Sequence, residues 1–147
     1  MADISIETVM TKSVHTIQPE WPIADVVRTM RNKSYSCLVV ADGGKPIGIV
    51  TERDILKLAN LLLDDLEHKD LTARSVMTSP TISIKSQANL LEAILLCRQT
   101  KIRHLPVVND EGDLCGLLTQ SDLLNAHIKS LELMKAQLDN QKRTALL

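Results

Sequence analysis

The chain has no phenylalanine, and its aromatic residues are confined to Trp21 and Tyr35. A core drawn from this composition is aliphatic, and very few side chains can stack on a planar ligand. Cysteine is also scarce. Cys37, Cys97 and Cys115 form no CxxC pair and leave one over, which points to reduced, buried or half-buried thiols, not disulfides or a metal site. No apolar run reaches the ~20 residues of a bilayer span. The opening MADISIETVM lacks the charged and apolar regions of a secretory leader, so a cytoplasmic location is expected. A net charge of −1 supplies no basic field, so neither nucleic acid nor a membrane surface is an expected partner. With 147 residues, 44% apolar and 24% charged, the chain can bury a core of ordinary soluble type without staples.

What the sequence does contain is repetition. GIVTERDIL, Gly48 to Leu56, returns as GLLTQSDLL, Gly116 to Leu124, and VMTKSVHTI from Val9 returns as VMTSPTISI from Val76. The offset is 67 residues up to the middle of each copy and 68 from Gly48 and Gly116 onward. The added residue falls between ADGGKP and NDEGDL, two stretches with the composition of hairpin loops, where a length change disrupts least.

Both copies read alike in secondary structure. Alternation over Val14–Ile17 and Thr81–Ile84 predicts a short strand. Ile23, Val26, Val27 and Met30, like Leu90, Ala93, Ile94 and Cys97, recur at helical spacing, with Pro22 and Ser86 placed as start signals. CLVVADGGKPIGIVT and HLPVVNDEGDLCGLLT read as strand, turn, strand, and a helix follows each Thr. Each unit is then β-α-β-β-α, too small at roughly 50 residues to cover both faces of its own sheet. The prediction is an α/β fold of two such repeats packed about a pseudo-two-fold axis. Its expected divisions are 1–59 for the first repeat with the N-terminal segment, 60–75 for a linker, 76–127 for the second repeat and 128–147 for a helical extension.

The VMT openings, RHLPVV at Arg103–Val108 and the paired GIVTERD and GLLTQSD resemble the cystathionine-β-synthase (CBS) domain family, present as a tandem pair or Bateman module over about Val9 to His127. The resemblance implies a non-catalytic regulatory module that binds an adenine nucleotide (AMP, ADP, ATP), a related adenosyl compound such as S-adenosylmethionine, or a cyclic dinucleotide between the repeats. A structural homodimerisation module with empty clefts is the alternative.

The chemistry of the repeated motif is compatible with that reading. Gly48 and Gly116 allow close approach to the strand by backbone or ligand. Thr51 and Thr119 stand at strand-to-helix junctions, where unpaired helix amides favour a phosphate. Three residues on, Asp54 and Asp122 could accept from both hydroxyls of a ribose. The same T-x-x-D is also an ordinary helix cap with an acidic first turn.

The resemblance places further residues beside the ligand. Those just before the LPVV position would face it, giving Tyr35, Ser36 and Cys37 in the first repeat and Ile102, Arg103 and His104 in the second. In the favoured cleft Thr119 and Asp122 are joined by Tyr35, Ser36, Cys37, Val14, His15, Arg103 and His104, with Tyr35 against the purine. The second cleft takes Thr51, Arg53, Asp54, Thr81 and Ile102. Val39 stands where the second repeat has Pro106, so strand geometry near Tyr35 is expected to differ.

Other candidates read more plainly. His15 and His104 lack a recognisable nucleophile setting, nothing marks Cys37 as a reactive thiol, and Trp21 covers a core edge or a partner's surface. Asp64, Asp65, Glu67, His68 and Asp70 lack metal-ligand spacing and read as a solvated linker. Leu124, His127, Leu131, Met134, Leu138, Gln141 and Ala145 alternate spacings of three and four. That seam either folds back on its own repeat or serves as a dimerisation stalk or signalling helix leading to an effector domain or partner. A homodimer is expected.

Overall fold

The computed structural model describes residues 4–63 and 71–147. Most of the acidic linker, including Asp64, Asp65, Glu67, His68 and Asp70, lies outside the described residues. The first repeat runs β1 (Thr16–Ile17), α1 (Ile23–Lys33), β2 (Cys37–Asp42), β3 (Lys45–Thr51) and α2 (Glu52–Leu63). After the single turn α3 (Ala73–Val76), the second runs β4 (Ile84–Lys85), α4 (Leu90–Thr100), β5 (His104–Val108), β6 (Leu114–Thr119) and α5 (Gln120–Ala145).

Each repeat forms a three-stranded sheet in sequence order, the first strand parallel and the third antiparallel to the middle one. The mixed arrangement follows from the connections, since a helical crossover suits parallel neighbours and a tight turn antiparallel ones. Gly43 and Gly44 supply the positive φ angles of the first hairpin, +57° and +81°. The longer second hairpin holds the extra residue, with Asn109 Oδ1 accepting from the amides of Glu111 at 3.1 Å and Asp113 at 2.9 Å. Pro106 does not alter the ladder: it pairs with Leu117 as Val39 pairs with Ile49.

Two aliphatic cores result. Ile17, Val26, Leu38, Val40 and Val50 fill the first, and Leu90, Leu105, Val107 and Leu118 the second, with Trp21 half-buried at the edge of the first. Each core is completed from the other half of the chain. Ile6 is fully buried in the second core and Ala73 in the first. The backbone repeats this crossing: Leu90 N donates to Ile4 O and Ile23 N to Leu71 O, both at 2.9 Å. Thr11 bridges to Leu117, and Thr78 to Ile49. The N-terminal segment, grouped by sequence order with the first repeat, is therefore packed on the second.

The same crossing accounts for the motif glycines. A Cβ on Gly116 would lie 2.9 Å from Met10 Cγ, and one on Gly48 would lie 2.7 Å from Met77 Cγ. The methionine of each VMT lies against the glycine of the opposite repeat, so at these positions close approach serves packing between the halves. Helix α5 does not fold back. It is buried at Leu123 and Ser130, and every residue from Leu131 onward is exposed.

Candidate ligand cleft between the repeats

In both repeats a hairpin strand ends on Thr and a helix starts on the next residue. Thr119 Oγ1 accepts from Asp122 N at 3.1 Å, while Asp122 Oδ2 accepts from Thr119 N at 2.9 Å, a reciprocal cap. Asp54 Oδ2 accepts from Thr51 N at 2.9 Å and from Thr51 Oγ1 at 3.0 Å, and Asp54 Oδ1 from Thr78 Oγ1 at 3.4 Å. One oxygen of each carboxylate is thus committed to its helix start. The first helical amides are also used, Glu52 N donating to Ser36 O at 3.1 Å and Gln120 N to Arg103 O at 2.9 Å. The Thr hydroxyls take up the amides of Asp54 at 3.4 Å and Asp122 at 3.1 Å, so the amides of Arg53 and Ser121 are not engaged by either cap. Amides of a first helical turn have no partner within the helix, which makes a helix start a favourable place for an anion.

These two helix starts open on one cavity of about 660 Å³. It is lined from both repeats by Thr51, Arg53, Asp54 and Lys57 on one side and by Lys101, Arg103, His104 and Thr119 on the other. The side chains of Arg53, Lys57, Lys101 and Arg103 outnumber the carboxylates of Glu52 and Asp54, and both helix dipoles present their positive ends. The cavity therefore favours an anion. Ile49 and Ile102 supply apolar wall. Ser36 Oγ and His104 Nε2 lie 3.0 Å apart, tying the first repeat to the second inside the cavity. Burial lowers the His104 pKa, Arg103 adds to the effect, and Glu52 opposes it.

The residues expected in two clefts are distributed differently. Ser36, Arg103, His104 and Thr119 from the favoured set share this single cavity with Thr51, Arg53, Asp54 and Ile102 from the second set. Asp122 caps its helix and is not among the lining residues. Tyr35 lies against His15, ring centroids 5.5 Å apart and tilted by 45°, and neither lines the cavity. Cys37 is buried in its strand, and burial pushes its thiol up to about 12. Thr81 donates to Pro46 O at 3.1 Å. Val14 lines a separate open hollow of about 620 Å³ with Lys12, Trp21, Gly43 and Cys115. Sequence reasoning missed Lys57, Lys101 and Ser121. Lys57 lies one turn beyond Arg53 on α2, and Lys101 immediately precedes Ile102, so extending each motif by a few residues finds them.

Among the described residues no group of three His, Cys, Asp or Glu side chains could hold a metal ion. No described helix is long and apolar enough to cross a membrane.

Comparison with known proteins agrees with this architecture. A family model for the CBS domain matches twice, over residues 6–60 and 73–129. The chain belongs to the CBS domain family. It is a tandem CBS pair with a C-terminal helix. An uncharacterized protein of Methanopyrus kandleri is 30% identical over 84% of this chain and 63% of its own length. Inosine-5'-monophosphate dehydrogenase of Thermoplasma acidophilum is 33% identical over 80% of this chain but only 22% of the enzyme. The CBS pair thus spans less than two thirds of these relatives. Among solved structures, CBSX2 of Arabidopsis thaliana in complex with AMP superposes with a TM-score of 0.75 at 27% identity, covering 86% of this chain and 97% of that one.

Proposed function

We propose that this CBS pair is a cytoplasmic regulatory module that binds an adenine nucleotide in the cavity between the α2 and α5 N-termini. The observation that carries the reading is the convergence of two helix N-termini, those of α2 and α5, with Arg53, Lys57, Lys101 and Arg103 around a single cavity. Phosphate oxygens belong at those N-termini and cations. The free acceptor capacity of Asp54 faces the ribose hydroxyls, and Ile49 and Ile102 take the base. The AMP complex of a structural relative supports an adenylate among possible ligands, with AMP, ADP, ATP and S-adenosylmethionine as the candidates. The dehydrogenase relatives support an output through a larger protein or a partner, because they match over only about a fifth of their length. The module acts as a homodimer, and α5 conveys the ligand state to the effector.

Thermal shift against the four candidates tests the assignment. A ligand at 100 times its Kd adds about 2.7 kcal/mol to stability, or roughly 5–11 °C in Tm at this chain size. Arg103→Ala should remove most of the shift given by phosphate-bearing ligands. Absence of any shift with all four compounds would refute the nucleotide reading and favour a structural pair with an empty cleft.

A further inference from the structure

Once past Ser130, α5 carries Leu131, Met134 and Leu138 into solvent at 51%, 36% and 57% exposure. A projecting helix of roughly 15 residues is marginal in water by itself. We propose that this segment pairs with the same segment of a second copy, parallel and in register, as a two-stranded stalk. The stalk deepens the homodimer reading and is independent of the nucleotide.

The heptad assignment places Leu124, Leu131, Leu138 and Ala145 at a, and His127, Met134 and Gln141 at d. His127 lies on the body-facing stripe with Leu123 and Ser130, its Nδ1 buried, so the seam open to a second copy runs from Leu131 to Ala145, two heptads.

The flanks decide the orientation. Beyond Ser130, position e carries Lys135 and Lys142, and position g carries Gln137 and Thr144. In a parallel pair, e meets g, so Lys142 lies beside the second copy's Gln137. An antiparallel pair brings e against e, setting the lysines of one helix opposite those of the other in unfavourable like-charge contact. Glu132 and Asp139 stand three residues before those lysines on their own helix, where they stabilise it without entering the seam. Gln141 fixes the register. In register, each of its amides offers a donor and an acceptor to an identical amide, whereas a one-heptad slip sets it against Met134. A foreign partner has no need of this self-matching pattern.

Cysteine cross-linking in the full chain tests the proposal. The background is Cys115→Ser, because Cys37 and Cys97 are buried. Leu131→Cys alone and Leu138→Cys alone should each oxidise to a covalent dimer on a non-reducing gel, while Glu132→Cys should not. A cross-link that forms only on mixing the two leucine variants would show an antiparallel pair and overturn the proposal. A dimer by light scattering without either cross-link would overturn the stalk and leave the homodimer reading standing. As a second measurement, Leu138→Asp should raise the dimer dissociation constant at least 10-fold. An unchanged constant would also overturn the stalk.

Discussion

Replacing Gly116 by alanine puts a methyl group where Met10 now lies, with the new Cβ 2.9 Å from Met10 Cγ. Neither Gly116 nor its counterpart Gly48 uses the left-handed backbone region, so alanine meets no backbone obstacle at either position. The two expected effects are opposed. Overpacking costs about 1–3 kcal/mol, while the lower entropy of the unfolded chain returns about 0.4–1 kcal/mol. The balance centres on a loss of about 1.3 kcal/mol, within a range from near zero to about 2.6, and the central value is a Tm drop of about 3–5 °C. Urea unfolding should show it as a lower midpoint at constant slope. The decisive comparison is the double variant. In a Met10→Ala background the clash is gone, so Gly116→Ala should become neutral or stabilising. Equal cost with and without Met10 would refute the argument that Gly116 is small to admit a methionine from the other half.

Two further outcomes follow from the site and its surroundings. Because burial holds the Cys37 thiol up to about 12, it stays protonated in the folded chain where the unfolded thiol ionises near 9.0. Stability is then unaffected by this group below pH 9 and falls as pH rises from about 9 to about 12, with a slope near 1.4 kcal/mol per pH unit. Cys37→Ala should flatten that part of a pH-stability curve, and an unchanged slope would refute the assignment. Asp122→Ala should cost about 0.5–2 kcal/mol by removing the acceptor for Thr119 N, whereas Asp122→Asn, which keeps an acceptor oxygen, should cost less. Calorimetry on Asp54→Asn and Asp122→Asn then separates cap from ligand: nucleotide affinity should fall in the first and hold in the second, and the reverse order would move the ribose to Asp122.

Much of the architecture is legible in the chain because periodicity and turn chemistry act locally. The α1 and α4 helices fall on the Val26–Met30 and Ala93–Cys97 faces, and the extra residue of the second repeat lies in its hairpin. The crossing of Ile6 and Ala73 is not legible. Both halves carry the same methionine and the same glycine, so the local pattern is equally satisfied whether each VMT packs on its own repeat or on the other. The cleft was read in part for a related reason. Thr51 and Asp54 follow from the repeated motif, Arg53 lies within its first copy, and Arg103 and His104 are implied by the family resemblance, but motif order cannot show that two helix starts open on one cavity. Nor does it reveal that Tyr35 is occupied by His15.

The crossed segments also impose an order on folding. Bringing Thr78 to Ile49 closes a short loop and can finish as soon as the first repeat and α3 exist. Bringing Thr11 to Leu117 closes a loop roughly 3.5 times longer, at an extra entropic cost of about 1 kcal/mol. On a chain made from its N-terminus, the first sheet can be complete while the second is still being synthesised. Residues Ile4–Thr11, although made before either sheet, have no partner until the start of α4 and then β6 appear. The two halves, so alike in sequence and shape, therefore mature at different times, and a segment made ahead of both sheets is among the last to find its place.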